Sequence, residues 1–162
     1  MMETLRTLTA QLSAAGHSVS CAESCTGGLL AAELTRLAGS SAWFKMGFVT
    51  YSNESKEQLL KVAPETLRHY GAVSEETVRE MALGALMASK ADLAVSISGI
   101  AGPDGGSDDK PVGTVWFGVA TKKRIYAHCR QFDGSRDEVR RQAVAFALAF
   151  LKHIHSAMIK PA

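Results

Sequence analysis

Residues 21–28, Cys-Ala-Glu-Ser-Cys-Thr-Gly-Gly, place two side chains capable of nucleophilic attack, Ser24 and Cys25, side by side. Thr26, Gly27 and Gly28 follow at once. If Thr26–Gly27 opens a helix, the free N–H groups of its first turn point back at Ser24 and Cys25. Such a terminus holds an oxyanion or a phosphate, and the glycines let a ligand approach the backbone closely. A nucleophile at a strand end, with oxyanion donors in the adjoining helical turn, is the arrangement of acyl-transfer enzymes. The alternative is purely structural: Ser24 caps the helix and the glycines permit tight packing.

A serine nucleophile needs a base. His17, His69, His128, His153 and His155 sit in no pattern that suggests a Ser-His-Asp triad, and His153 and His155 fall in a C-terminal segment expected to fray at the surface. Lysine is the other option, since partial burial lowers its pKa. The segment Thr-Tyr-Ser-Asn-Glu-Ser-Lys supplies Tyr51 at the end of an expected strand and Lys56 one helical turn beyond Asn53. A phenol and an ammonium would then share one strand end; the competing reading is a solvated lysine on a short helix. The spacing is not Ser-x-x-Lys, so the β-lactamase signature is absent.

A second Gly-rich loop follows a buried strand, with Ser98, Gly99 and Gly102 at its start. Ligands of open α/β sheets collect at that carboxyl edge, although the loop matches neither Walker A nor G-x-G-x-x-G. Arg136 and Arg140 lie four apart in the first turns of the last helix, where the dipole disfavours cations. They are either exposed or aimed into a pocket as a clamp for phosphate or carboxylate. Cys21 and Cys25 belong to no Cys-x-x-Cys pair or second cluster, so no metal and no cofactor is expected. Cys25 without a histidine partner is read as an inert thiol.

Local patterns define the elements that must carry these groups. Leu5, Leu8 and Leu12 predict a helix over 4–15 that stops at Gly16, and residues 17–24 a short strand. Residues 26–39 have a helical pattern with Leu30, Leu34 and Leu37 on one face and Gly39 as its stop. Residues 44–52 resemble a buried strand, followed by a short helix capped by Asn53. Ser74 caps a helix with Val78, Met81, Ala82, Ala85 and Leu86 as its stripe. Residues 91–102 read as a strand running into the Gly-rich loop, and two more strands form a hairpin around Lys122–Lys123. The last helix opens with a capping box, Ser135 and Glu138, and buries Val139, Ala143, Phe146 and Phe150. Helices alternating with strands, then a hairpin and a closing helix, predict a three-layer α/β/α sandwich with a mixed sheet.

At 162 residues the chain suits one domain, with no repeat or linker to mark a second. Apolar residues at 46% and charged residues at 21% are ordinary for a globular protein. A net charge of +2 gives no reason to expect nucleic acid or a membrane surface as partner. No apolar run approaches the roughly 18 residues of a spanning helix. The opening residues read as an amphipathic helix rather than a signal peptide. With three cysteines, an odd number, the expectation is reduced thiols and a cytoplasmic location.

Six motifs in order (AESCTGG, GFVTYSNESK, GAVSEETV, SISGIAGPDGG, KPVGTVWFGVA and GSRDEVRRQA) resemble the CinA C-terminal domain family, over about Leu5 to Leu151. The resemblance implies that residues 1–162 are a single CinA C-terminal-like amidohydrolase domain. It further implies hydrolysis of the carboxamide of nicotinamide mononucleotide by a serine–lysine mechanism without metal. By motif, Ser24 would be the nucleophile, Lys56 its base and Tyr51 their partner. Cys25, Thr26, Gly27, Gly28, Ser98, Gly99, Gly102, Arg136 and Arg140 would line the substrate site. The loop motif commonly begins with threonine, and Ser98 keeps the hydroxyl without the methyl. Many CinA proteins carry a larger N-terminal domain, so this chain would act alone, and since members often form dimers a homodimer is an expectation. A non-catalytic nucleotide-binding paralogue, acting as a sensor or assembly module, is the alternative; intact Ser24, Tyr51 and Lys56 favour the enzyme.

Overall fold

The computed structural model describes residues 1–161, and residue 162 of the expected domain lies outside them. The chain runs α1 (Met2–Ala15), β1 (Val19–Glu23), α2 (Leu29–Leu34), a 3-10 turn at Ser40–Ala42, β2 (Phe44–Val49), α3 (Asn53–Leu60), α4 (Pro64–Tyr70) and α5 (Glu75–Ser89). It closes with β3 (Leu93–Gly99), β4 (Thr114–Thr121), β5 (Ile125–Gln131) and α6 (Arg136–Met158). The five strands form one sheet in the order β2-β1-β3-β4-β5. β1 is parallel to β2 and β3, whereas β4 and β5 add as an antiparallel hairpin. The expected mixed sheet is therefore present.

Two cores cover the sheet. On one face Leu5, Leu8 and Leu12 of α1, Leu30 and Leu34 of α2, and Val139, Ala143 and Leu148 of α6 pack on Val95, Ile97, Phe117 and Val119. On the other, Leu60 of α3, Leu67 of α4 and Val78, Met81, Ala82, Ala85 and Leu86 of α5 pack on Ala22, Ala94 and Ala120. The β3 side chains alternate between these layers, as a strand buried on both faces must. Small residues on the α5 side let that helix lie close. A Cβ at Gly84 would collide with the Leu60 carbonyl, so only glycine allows α5 to touch the end of α3.

Several boundaries differ from the local patterns. Ser52, not Asn53, caps α3, its side chain accepting from Ser55 N–H. The helix α4 was not legible as a separate pattern, although Pro64 at its first turn marks its start. β2 is an edge strand rather than a buried one, with Met46 and Val49 exposed. In α6, Val139 and Ala143 are buried, whereas Phe146 and Phe150 are only partly covered. The C-terminal segment does not fray: α6 continues to Met158, and His155 is fully buried. Its Nε2 lies 2.9 Å from His17 Nδ1 beyond the end of α1, and burial holds the His155 pKa below its ordinary value. His153 stays exposed, as expected.

Candidate active site

β1 hands the chain directly to the nucleophile-bearing bend. Glu23 ends the strand; Ser24 N–H still donates to the Ile97 carbonyl of β3 at 3.0 Å, and Gly27 N–H closes a turn on the Ser24 carbonyl at 3.1 Å. Gly27 and Gly28 take left-handed φ values of 58° and 109°, so α2 begins only at Leu29 and lasts six residues. This corrects the expected helix over 26–39. It also corrects the destination of the helix's first amides. The Glu23 carboxylate is fully buried and accepts Leu30 N–H and Ala31 N–H, each at 2.9 Å, and the Thr26 hydroxyl at 2.6 Å. A buried carboxylate must find donors, and the positive end of α2 supplies them. Ser24 is thus no cap, and its hydroxyl is left for other work.

Lys56 meets that hydroxyl from the far side of the sheet. Just after β2, Thr50 N–H extends the ladder to β1 by donating to the Glu23 carbonyl at 2.7 Å, and α3 follows. The fourth residue of α3 is Lys56, which is fully buried, so the solvated-lysine alternative does not hold. Its Nζ lies 2.9 Å from Ser24 Oγ, 2.7 Å from the Thr50 carbonyl and 3.3 Å from the Tyr51 carbonyl. Three acceptors suit an ammonium, yet no carboxylate faces it. Desolvation dominates and pulls the pKa down to about 8. A lysine in that range has an accessible neutral form that can accept a proton from Ser24.

The pair opens into a cavity of about 300 Å³ at the carboxyl edge of β1 and β3. Cys25, Tyr51, Ser98, Gly99, Gly102, Asp104 and Arg136 are among its other lining residues. Ser98 is 1% exposed and makes no side-chain hydrogen bond among the described residues, so its hydroxyl is a free partner for a ligand. Cys25 is buried, and desolvation pushes its thiol up to about 11, which keeps it protonated at neutral pH. A larger groove of about 640 Å³ between β5 and α6, lined by Arg79, Tyr126, His128, Phe146 and His153 among others, contains no nucleophile–base pair.

Other sequence-derived site residues separate here. Thr26, Gly27, Gly28 and Arg140 do not line the cavity. The two arginines do not form a clamp. Arg136 lies at the cavity and donates to the Gly102 carbonyl at 2.7 Å and to the Tyr51 hydroxyl at 3.1 Å. Arg140 turns under the bend instead, its Nε 3.0 Å from the Cys25 carbonyl and its Nη2 3.4 Å from the Thr26 carbonyl. Spacing of four puts both on one helix face, but the bend of β1 reaches only the second. Tyr51 is 61% exposed, and its backbone carbonyl rather than its phenol meets Lys56. The phenol therefore belongs with Arg136. Two contributors escaped the sequence: the Thr50 carbonyl, which has no side-chain signal, and Glu23, which sat in the motif without an assigned partner.

Among the described residues there is no group of three or more His, Cys, Asp or Glu that could hold a metal, and no helix is long and apolar enough to cross a membrane. The profile of the CinA C-terminal domain matches residues 2–155. The chain is 62% identical over 140 residues to the nicotinamide-nucleotide amidohydrolase PncC of Enterobacter agglomerans, covering 86% of this chain and 85% of that protein. It is equally 62% identical over 141 residues to the protein of the same name from Escherichia coli strain K12, covering 86% of each. The crystal structure of a CinA superfamily protein from Klebsiella pneumoniae 700603 superposes with a TM-score of 0.92 at 42% identity, covering 96% of this chain and 97% of that one.

Proposed function

Because the chain belongs to the CinA C-terminal domain family, we propose that it is a nicotinamide-nucleotide amidohydrolase that converts nicotinamide mononucleotide and water to nicotinate mononucleotide and ammonia. The observation that carries the catalytic part is the 2.9 Å contact between Lys56 Nζ and Ser24 Oγ at the floor of the cavity. Neutral Lys56 takes the Ser24 proton as Oγ attacks the carboxamide carbon, giving a tetrahedral oxyanion. Collapse breaks the C–N bond, and the Lys56 ammonium returns the proton to the departing ammonia. The acyl group is left as an ester on Ser24. Water, deprotonated by Lys56, attacks that ester; the acyl C–Oγ bond breaks, Lys56 returns the proton to Ser24 Oγ, and nicotinate mononucleotide is released. Backbone N–H groups of the bend carry the oxyanion, a contribution of about 3–4 kcal/mol for each well-placed donor.

The nucleotide part rests on Arg136, which lines the same cavity as Ser24 and offers a guanidinium to the 5′-phosphate. Such a reaction recycles pyridine nucleotides. Purified protein incubated with nicotinamide mononucleotide is expected to release ammonia and nicotinate mononucleotide in equal amounts. Tight binding of the mononucleotide with no ammonia released would leave the non-catalytic paralogue in its place.

A further inference from the structure

We infer that Asp104 selects the ribose of the nucleotide, its carboxylate accepting hydrogen bonds from the 2′- and 3′-hydroxyls. The inference rests on the amidohydrolase proposal and deepens it, since a ribose reader is what tells a mononucleotide from free nicotinamide. Three charged side chains line the cavity beside Ser24: Lys56, Arg136 and Asp104, the last its only lining carboxylate among the described residues. The two cations already hold protein partners. Lys56 Nζ meets Ser24 Oγ and the Thr50 carbonyl, while the Arg136 guanidinium donates to the Gly102 carbonyl and the Tyr51 hydroxyl rather than to Asp104. Asp104 belongs to none of the four ion pairs among the described residues. The side-chain bonds of its loop run from Lys110 N–H to Ser107 and from Thr114 to the Pro111 carbonyl, and neither involves it. Its carboxylate is exposed and open to a ligand.

The loop that presents Asp104 is tied at several points. At its base Ile100 N–H donates to the Thr114 carbonyl at 2.9 Å, and Gly113 N–H to the Ile100 carbonyl at 2.7 Å. Arg136 holds the Gly102 carbonyl at 2.7 Å, and Lys110 Nζ reaches the Tyr70 carbonyl at 2.8 Å. Gly105 takes a left-handed φ of 97°, and a Cβ at Gly106 would stand 2.7 Å from Val112 N, so the chain folds back after Asp104 only with glycine. Chemistry then selects the partner. Carboxylate oxygens accept hydrogen bonds and donate none, so Asp104 cannot take the phosphate, which suits Arg136. The carboxamide belongs to Ser24 and Lys56. What remains of the mononucleotide is the ribose, whose vicinal hydroxyls both donate, and dinucleotide-binding folds use the same carboxylate–ribose contact. The positive charge of the pyridinium ring attracts Asp104 less, because water and salt screen an exposed charge while a direct hydrogen bond persists.

The test pairs the residue with the hydroxyls. Nicotinamide mononucleotide is compared with its 2′,3′-dideoxy analogue, which keeps the carboxamide, the ring charge and the phosphate. In wild type the analogue is expected to show a KM at least about fivefold higher. Asp104→Ala should raise KM for the natural nucleotide by a similar factor, move kcat less, and bring the two substrates within about twofold of each other. Asp104→Asn, which keeps one acceptor oxygen, should recover part of the loss. Titration calorimetry with nicotinate mononucleotide and its dideoxy analogue should give the same pattern in affinity, with no turnover involved. Discrimination between the two sugars that survives in Asp104→Ala would overturn the inference. Equal weakening of both nucleotides by that substitution would overturn it too, in favour of attraction to the ring charge. Wild type that binds both nucleotides equally refutes it without any variant. A wild type that releases no ammonia instead refutes the proposed catalysis, and the calorimetric comparison still decides the role of Asp104.

Discussion

Lowering the pH from 8 to 6 titrates the one lysine whose neutral form the proposed chemistry needs. Burial brings the Lys56 pKa from 10.5 to about 8, so about one-tenth of the enzyme carries the free amine at pH 7 and about one-hundredth at pH 6. The sign follows directly: a base must be deprotonated to work, so kcat/KM should climb with slope near one below pH 8 and level off above it. A solvent-exposed lysine would place that break more than two units higher. The 5′-phosphate of the substrate has its own second ionisation near pH 6, so kcat at saturating nucleotide is followed beside kcat/KM. Ammonia is measured in stopped-time samples between pH 5.5 and 9.5. A flat profile between 6 and 8 would refute the lysine base. A break near 11 would transfer the nucleophile to Cys25, whose thiol lies there.

Four further outcomes are expected. Ser24→Ala and Lys56→Ala should each abolish nearly all turnover, and the double variant should be little worse, because the two act as a unit; in the same ammonia assay Cys25→Ala should keep most activity. Arg136→Ala should raise KM for nicotinamide mononucleotide about tenfold or more, since a charge-assisted phosphate contact contributes about 1.5–3 kcal/mol. Tyr51→Phe should leave kcat within about threefold and move KM, because the phenol meets Arg136 and only the backbone carbonyl meets Lys56. Glu23→Gln replaces an acceptor oxygen by a donor facing the amides of α2; a loss of about 1–3 kcal/mol should appear as a lowered Tm.

Much of the frame was local and hence readable from the chain alone. The stripe of α5, the caps Ser74 and Ser135, the Gly16 stop and the β4–β5 hairpin each depend on residues within a few positions of one another. Periodicity and capping report such interactions without tertiary help. The motif around Ser24, together with the resemblance it carried, also put Ser24 and Lys56 in one mechanism. What no local pattern carried was who faces whom. β2 has the residues of an inner strand but lies at the sheet edge, because strand order is set by the crossovers. By local pattern His155 belongs to a fraying surface segment, yet it is buried against a histidine 138 positions earlier. The helix pattern over 26–39 shortened to six residues, because a buried Glu23 and two left-handed glycines hold its start back. Arg136 and Arg140 looked alike by spacing, and only the place where β1 ends beneath α6 sends one to the cavity and the other to the bend. Most of all, the lowered pKa of Lys56 cannot be read from its neighbours in sequence. It arises from desolvation between α3 and the sheet, with two carbonyls and a serine for company and no carboxylate, and that environment exists only once the layers have closed.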